Sequence, residues 1–149
     1  MSGAPTQRAT PTGDCVLKFP ATLLAYERAF GDLRRVLDER GVHAKHRYNV
    51  ELVYEEIVTN VIRHGGSPDG LCSIEVTLGF DEHSVIMGFY DNGPAFDPTN
   101  HAMPELSGSV EAARIGGLGL KLIRNACARM EYERTRQNTN RLIVTIATG

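Results

Sequence analysis

Near its middle the chain switches its hydrophobic period from helical to strand-like, and that switch narrows the folds open to it. From about His46 to His64, Val50, Val53, Tyr54, Ile57, Val61 and Ile62 recur at three- and four-residue spacings, the pattern of an amphipathic helix. Gly65 and Gly66 stop it, because glycine takes the left-handed cap conformation at little cost. Beyond them, "CSIEVTLGF" and "SVIMGFYDNG" are rich in β-branched and aromatic residues with period-two stretches, and only "DEH" separates them. A link that short joins antiparallel strands, so the pair reads as a hairpin.

The flanking segments extend this pattern. "CVLKF" (Cys15 to Phe19) is a short strand closed by Pro20, and Thr22 can cap the next helix by accepting from a first-turn amide. Leu23, Leu24, Phe30, Leu33, Val36 and Leu37 give that helix its apolar spacing, and Gly41 ends it. From Gly93 to Gly116 no periodicity survives, and a connection of that length in one domain is usually functional or mobile. "LGLKLIRNACARM" then restores helical spacing through Leu118, Leu122, Ile123, Ala126 and Met130, and "EYERTRQ" and "RLIVTIAT" form a second hairpin around "NTN". The order strand, two helices, hairpin, loop, helix, hairpin predicts an α+β fold: a two-layer α/β sandwich of a mostly antiparallel mixed sheet with helices on one face. Residues 1–14, with Pro, Thr and Gly but no apolar run, are expected to be a disordered tail, and 15–149 one domain.

Composition excludes some classes. A formal charge of −2 gives no support for a general nucleic-acid binder. No apolar run approaches the roughly 20 residues of a membrane span. Three well-separated cysteines, Cys15, Cys72 and Cys127, form no CxxC pair and suit a reducing cytoplasm.

Three clusters carry chemistry. Glu56 and Asn60 lie about 40° apart on one helix face, where an amide oxygen can ligate Mg²⁺ and a carboxylate can serve as a base. Alone, such a pair also describes a solvated face. In "DNGPAFDP", Asp91 ends a strand pattern, where it can accept from an exocyclic amine such as that of adenine, and Gly93 lets the backbone approach a flat ring. The same residues also suit a plain turn. "GGLGLKLI" opens a helix with three glycines, a setting that favours phosphate at the N-terminal amides or a simple hinge. It is neither a Walker A loop nor G-x-G-x-x-G. Metal ligand, base, adenine acceptor and phosphate cradle occur in a sensible order, and that joint pattern is far more specific than any member.

The chain resembles the RsbW-like anti-sigma-factor serine/threonine kinases of the GHKL (Bergerat-fold) ATPase superfamily. "EEIVTNVIRHG" is similar to that family's N box, "DNGPAFDP" to its first glycine box, "GGLGLKLIRNA" to its second, and "EYERTRQNTNRLIVTI" to its closing hairpin, where an N-x-L segment is common. The resemblance spans about Cys15 to Ala147. It implies a cytoplasmic enzyme that uses ATP and Mg²⁺, with Asn60 holding the metal and Glu56 as general base. Asp91 would read the adenine amine, with Gly93 beneath the ring and Phe96 beside it. Gly117, Leu118, Gly119 and Leu120 would cradle phosphate, and about Thr99 to Ile115 would form a lid. It further implies phosphorylation of a STAS-fold anti-sigma-factor antagonist, binding of a sigma factor, a possible homodimer, and no direct contact with nucleic acid or membrane. Two alternatives remain open: a non-catalytic nucleotide-dependent partner switch, and a stand-alone histidine-kinase-like ATPase domain.

Overall fold

A computed structural model describes residues 15–65, 72–99 and 123–148. The elements are β1 (Cys15–Pro20), α1 (Leu23–Glu39), α2 (Ala44–Gly65), β2 (Ser73–Phe80), β3 (Ser84–Asp91), β4 (Arg129–Arg134) and β5 (Asn140–Ala147). Residues 123–126 are also helical. The five strands form one sheet in the order β1-β2-β3-β5-β4. All four pairings are antiparallel, so the expected mixed character is absent among the described residues.

Register places the core and then the site. Leu78 faces Met87, which faces Val144, which faces Met130; the next row is Val76, Phe89, Leu142 and Tyr132. These rows bury Val76, Leu78, Met87 and Val144 completely, together with Leu33, Leu37, Val50, Val53, Tyr54 and Val58 from the helices. The row that follows on the same face reads Ile74, Asp91, Asn140 and Arg134. The core face therefore turns polar at one end of the three strands β3, β5 and β4. A charged group there needs partners to offset its desolvation.

The helices begin and end as their residues dictate. Thr22 caps α1, its hydroxyl accepting from the Ala25 amide at 3.2 Å, and Gly41 follows the helix at φ +66°. Between α1 and α2, Tyr54 stacks on Tyr26 with ring centroids 5.5 Å apart and donates its hydroxyl proton to the Tyr26 carbonyl at 2.8 Å. Among the described residues no helix is long and apolar enough to cross a membrane.

Four expectations need correction. Pro20 is the last residue of β1 rather than its stop. Leu23 and Leu24 are 62% and 63% exposed, because the buried face of α1 begins later, at Ala29. On α2, Val61 and Ile62 are half-buried while Val58, off the expected stripe, is fully buried; α1 and the sheet both pack on this helix, so it buries more than one stripe. Met130 sits on β4 opposite Val144, not at a helix end. The ladder already begins at Ala128, whose amide donates to the Thr145 carbonyl at 2.8 Å. The expected tail (1–14), nearly all of the expected lid (from 100), and Gly117, Leu118, Gly119 and Leu120 lie outside the described residues.

Candidate functional site

Asp91 is the last residue of β3, and the turn Asn92-Gly93-Pro94 that follows ends the ladder, proline having no amide proton to donate. Asp91 is 8% exposed. Oδ1 accepts from the Gly93 amide at 2.9 Å and from Asn140 Nδ2 at 2.9 Å. Burial pushes the Asp91 carboxyl above its usual range, while the bonds from Asn140 and Gly93 and the nearby Arg134 guanidinium pull the other way. Arg134 also donates to the Gly93 carbonyl at 2.8 Å, which ties the glycine turn to β4.

Asn140, directly across from Asp91 on β5, joins four groups. Its Nδ2 donates to Asp91 and to the Pro94 carbonyl at 2.8 Å. Its Oδ1 accepts from the Phe96 amide at 3.3 Å and from the Tyr132 hydroxyl. The side chain is 6% exposed, and an asparagine that makes two donor and two acceptor bonds has its full set of roles filled.

Helix α2 supplies the opposite wall. Asn60 is 6% exposed and its Oδ1 accepts a long bond, 3.4 Å, from Arg63 Nη2. Glu56 is half-buried one turn earlier. Burial first, and then the neighbouring Glu55 charge, push its carboxyl up, and Arg63 opposes them. Glu55 itself is exposed. At the helix end the His64 ring stacks on Phe96, centroids 5.9 Å apart.

A narrow pocket runs between these walls. Asn60, Asp91 and Asn140 are its polar lining, Phe89, Phe96 and Tyr132 its aromatic lining, with aliphatic side chains between them. The cavity is about 30 Å³, so a heteroaromatic ligand would enter only as the walls part, but three buried polar groups among flat rings offer it the hydrogen-bonding partners it needs. A wider hollow exists at the other end of the strands, beside Arg40, His43, His46 and Asp81. It has no buried polar side chain in its wall and stands away from Asp91, so its size does not make it the site.

The structure thus brings Asn60, Asp91 and Phe96 onto one pocket. Glu56 stands one turn outside its lining, and Gly93 underlies it through the Asp91 and Arg134 bonds. Asn140, Tyr132 and Arg134 were not expected. The only hint was the N-x-L segment Asn140-Arg141-Leu142, read as part of a hairpin. Among the described residues no group of three or more His, Cys, Asp or Glu could hold a metal ion. The donors present, one amide oxygen and a carboxylate a turn away, fit Mg²⁺, which keeps most of its shell as water and phosphate oxygens and takes one or two protein ligands.

Comparison with known proteins gives the family and the fold. The family described as the histidine kinase-like ATPase domain matches residues 19–146. The chain belongs to that family. It is 33% identical over 102 residues to the serine/threonine-protein kinase BtrW of Bordetella bronchiseptica, an alignment covering 68% of this chain and 71% of the relative. The resemblance to RsbW-like GHKL kinases is borne out at this level. The fold is similar to that in the SiaB–SiaC complex of Pseudomonas aeruginosa, with a TM-score of 0.62, 17% identity and 89% of each chain covered. It is also similar to the RsbU and RsbW domains of Rv1364c from Mycobacterium tuberculosis, with a TM-score of 0.58, 18% identity and 96% of this chain covered; this chain spans 35% of that one.

Proposed function

We propose that the chain is an ATP-dependent serine/threonine protein kinase whose substrate is a STAS-fold anti-sigma-factor antagonist, and that it also binds a sigma factor. The observation that carries the nucleotide half is the pocket that a buried carboxylate, Asp91, and a buried amide, Asn60, line together with aromatic rings. Asp91 accepts from the 6-amino group of adenine, and the aromatic walls take the ring faces. Asn60 supplies the protein oxygen for Mg²⁺, and Gly117 to Leu120 would hold phosphate at the helix start that follows. The metal, when bound, neutralises charge on the phosphates.

Phosphoryl transfer asks a protein for position and electrostatics more than for covalent chemistry. Glu56 is suited to the one proton transfer. As the hydroxyl oxygen of the substrate bonds to the γ-phosphorus, the bond from that phosphorus to the bridging oxygen breaks and ADP leaves. The hydroxyl proton passes to Glu56. A carboxyl raised above its usual range by burial is a stronger base, once ionised, than a solvated one. The kinase half draws support from the one-third identity to BtrW, and the STAS-type partner from the motif resemblance.

The test is direct. With Mg-ATP and a cognate STAS protein, the wild type is expected to transfer phosphate onto Ser or Thr. Glu56→Gln is expected to lower transfer by about 10²- to 10⁴-fold, the usual range for a general base, and to bind ATP as before. If the wild type binds ATP yet phosphorylates none of its plausible partners, the kinase claim fails and a nucleotide-dependent partner switch remains.

A further inference from the structure

We infer that Asn140 is the positioning residue for base recognition: its amide locks the Asp91 carboxylate and the glycine turn together, so that Asp91 Oδ2 is held where the exocyclic amine of adenine meets it. The inference rests on the reading of the pocket as an ATP site.

Three observations carry it. Both hydrogen bonds to Asp91 end on Oδ1, which leaves Oδ2 of this pocket-lining residue to a ligand. A carboxylate free to rotate about its terminal torsion would offer either oxygen in a broad range of directions; Asn140 Nδ2 and the Gly93 amide remove that freedom. The same Nδ2 holds the Pro94 carbonyl, and the Asn140 oxygen holds the Phe96 amide and the Tyr132 hydroxyl. One buried side chain therefore sets the acceptor, the start of the loop and two aromatic walls. Neither a hydroxyl nor a carboxylate at this position could do this, since a hydroxyl has too few protons and a carboxylate none. Asn140→Asp would keep the size, lose both donated protons and set a second carboxylate against Asp91.

The experiment compares two nucleotides on the full chain by calorimetry: ATP, and purine riboside triphosphate, which lacks the 6-amino group. A hydrogen bond to a charged group is worth enough to give about tenfold or more in affinity, so the wild type is expected to prefer ATP by at least that ratio. In Asn140→Asp the preference should fall to within about twofold of unity, whatever the change in purine riboside triphosphate affinity itself. Asn140→Thr, which retains one donor and one acceptor, should restore part of the ratio and serves where the aspartate variant melts early. A residue that only supports the fold would weaken both nucleotides alike and leave the ratio intact. That result in both variants, with a wild type that discriminates, overturns the role of Asn140 and leaves the ATP site standing. A wild type that binds neither nucleotide overturns the site and the inference together.

Discussion

Asp91 carries a cost that its function explains. Its carboxyl is raised above the ordinary 3.8 chiefly by burial. An acid whose folded pKa exceeds its unfolded one favours folding when protonated, and that contribution is lost as pH rises through the folded value. Above that value the ionised side chain therefore opposes folding, despite Asn140 and Gly93. Asp91→Asn keeps the shape and an oxygen for those two donors. It is expected to raise the melting temperature at pH 7, by an amount that shrinks as the pH is lowered through the raised pKa. ATP affinity should fall by about tenfold or more, since the variant offers one acceptor fewer of the charged kind. A variant no more stable at pH 7, measured by calorimetric melts across pH, would contradict the assignment of burial as the dominant cause. The sign for Glu56 is the same: its acid limb in a transfer-rate profile should lie above 4.5. Glu56, Asn60 and Asp91 could be read from the chain because each sits at a telling position, two on one helix face and one at a strand end. Asn140 could not. Its partner is 49 residues away, and only strand register unites them.

At the scale of elements, α2 is the part whose rigidity the site depends on, for it bears both Glu56 and Asn60. Its grip on α1 is aromatic. Tyr54 is fully buried, stacked on Tyr26 and 5.1 Å from Phe30 by ring centroid, with its hydroxyl on the Tyr26 carbonyl. Truncating a buried aromatic removes its contacts and leaves a cavity, so Tyr54→Ala should destabilise by about 3–5 kcal/mol. Tyr54→Phe, which removes only the hydrogen bond, should cost about 0.5–1.5 kcal/mol. Urea denaturation separates the two, and equal losses would mean that the ring contributes nothing beyond its hydroxyl. The period-3.6 stripe announced this helix, yet not Val58, because α1 and the sheet cover different sides of it. Spacing also misplaced Met130. A residue four positions after Ala126 continues a helix, but after a brief turn it serves equally well on the core face of a strand.

At the scale of the molecule, the two layers make the pocket a seam. Its polar row ends β3, β5 and β4, while Asn60 comes from the helix layer. A ligand that touches both layers binds the folded chain and not the unfolded one, so it must stabilise the whole. At a hundredfold excess over Kd that linkage amounts to about 2.7 kcal/mol. For a chain of this length the corresponding rise in Tm is about 5–10 °C. Under the proposed function Mg-ATP should give such a rise, and part of it should depend on the metal through Asn60. Adding a chelator to wild type with ATP should shrink the shift. In Asn60→Ala the shift should be smaller from the start and nearly indifferent to the chelator, because the amide oxygen that couples metal to helix is gone. Neighbouring Arg63 reaches Asn60 only over 3.4 Å, so losing that bond alone should move the nucleotide-free melting temperature little. A full magnesium-dependent shift in Asn60→Ala would remove Asn60 from the metal and send the search for its ligand to other residues at the same seam.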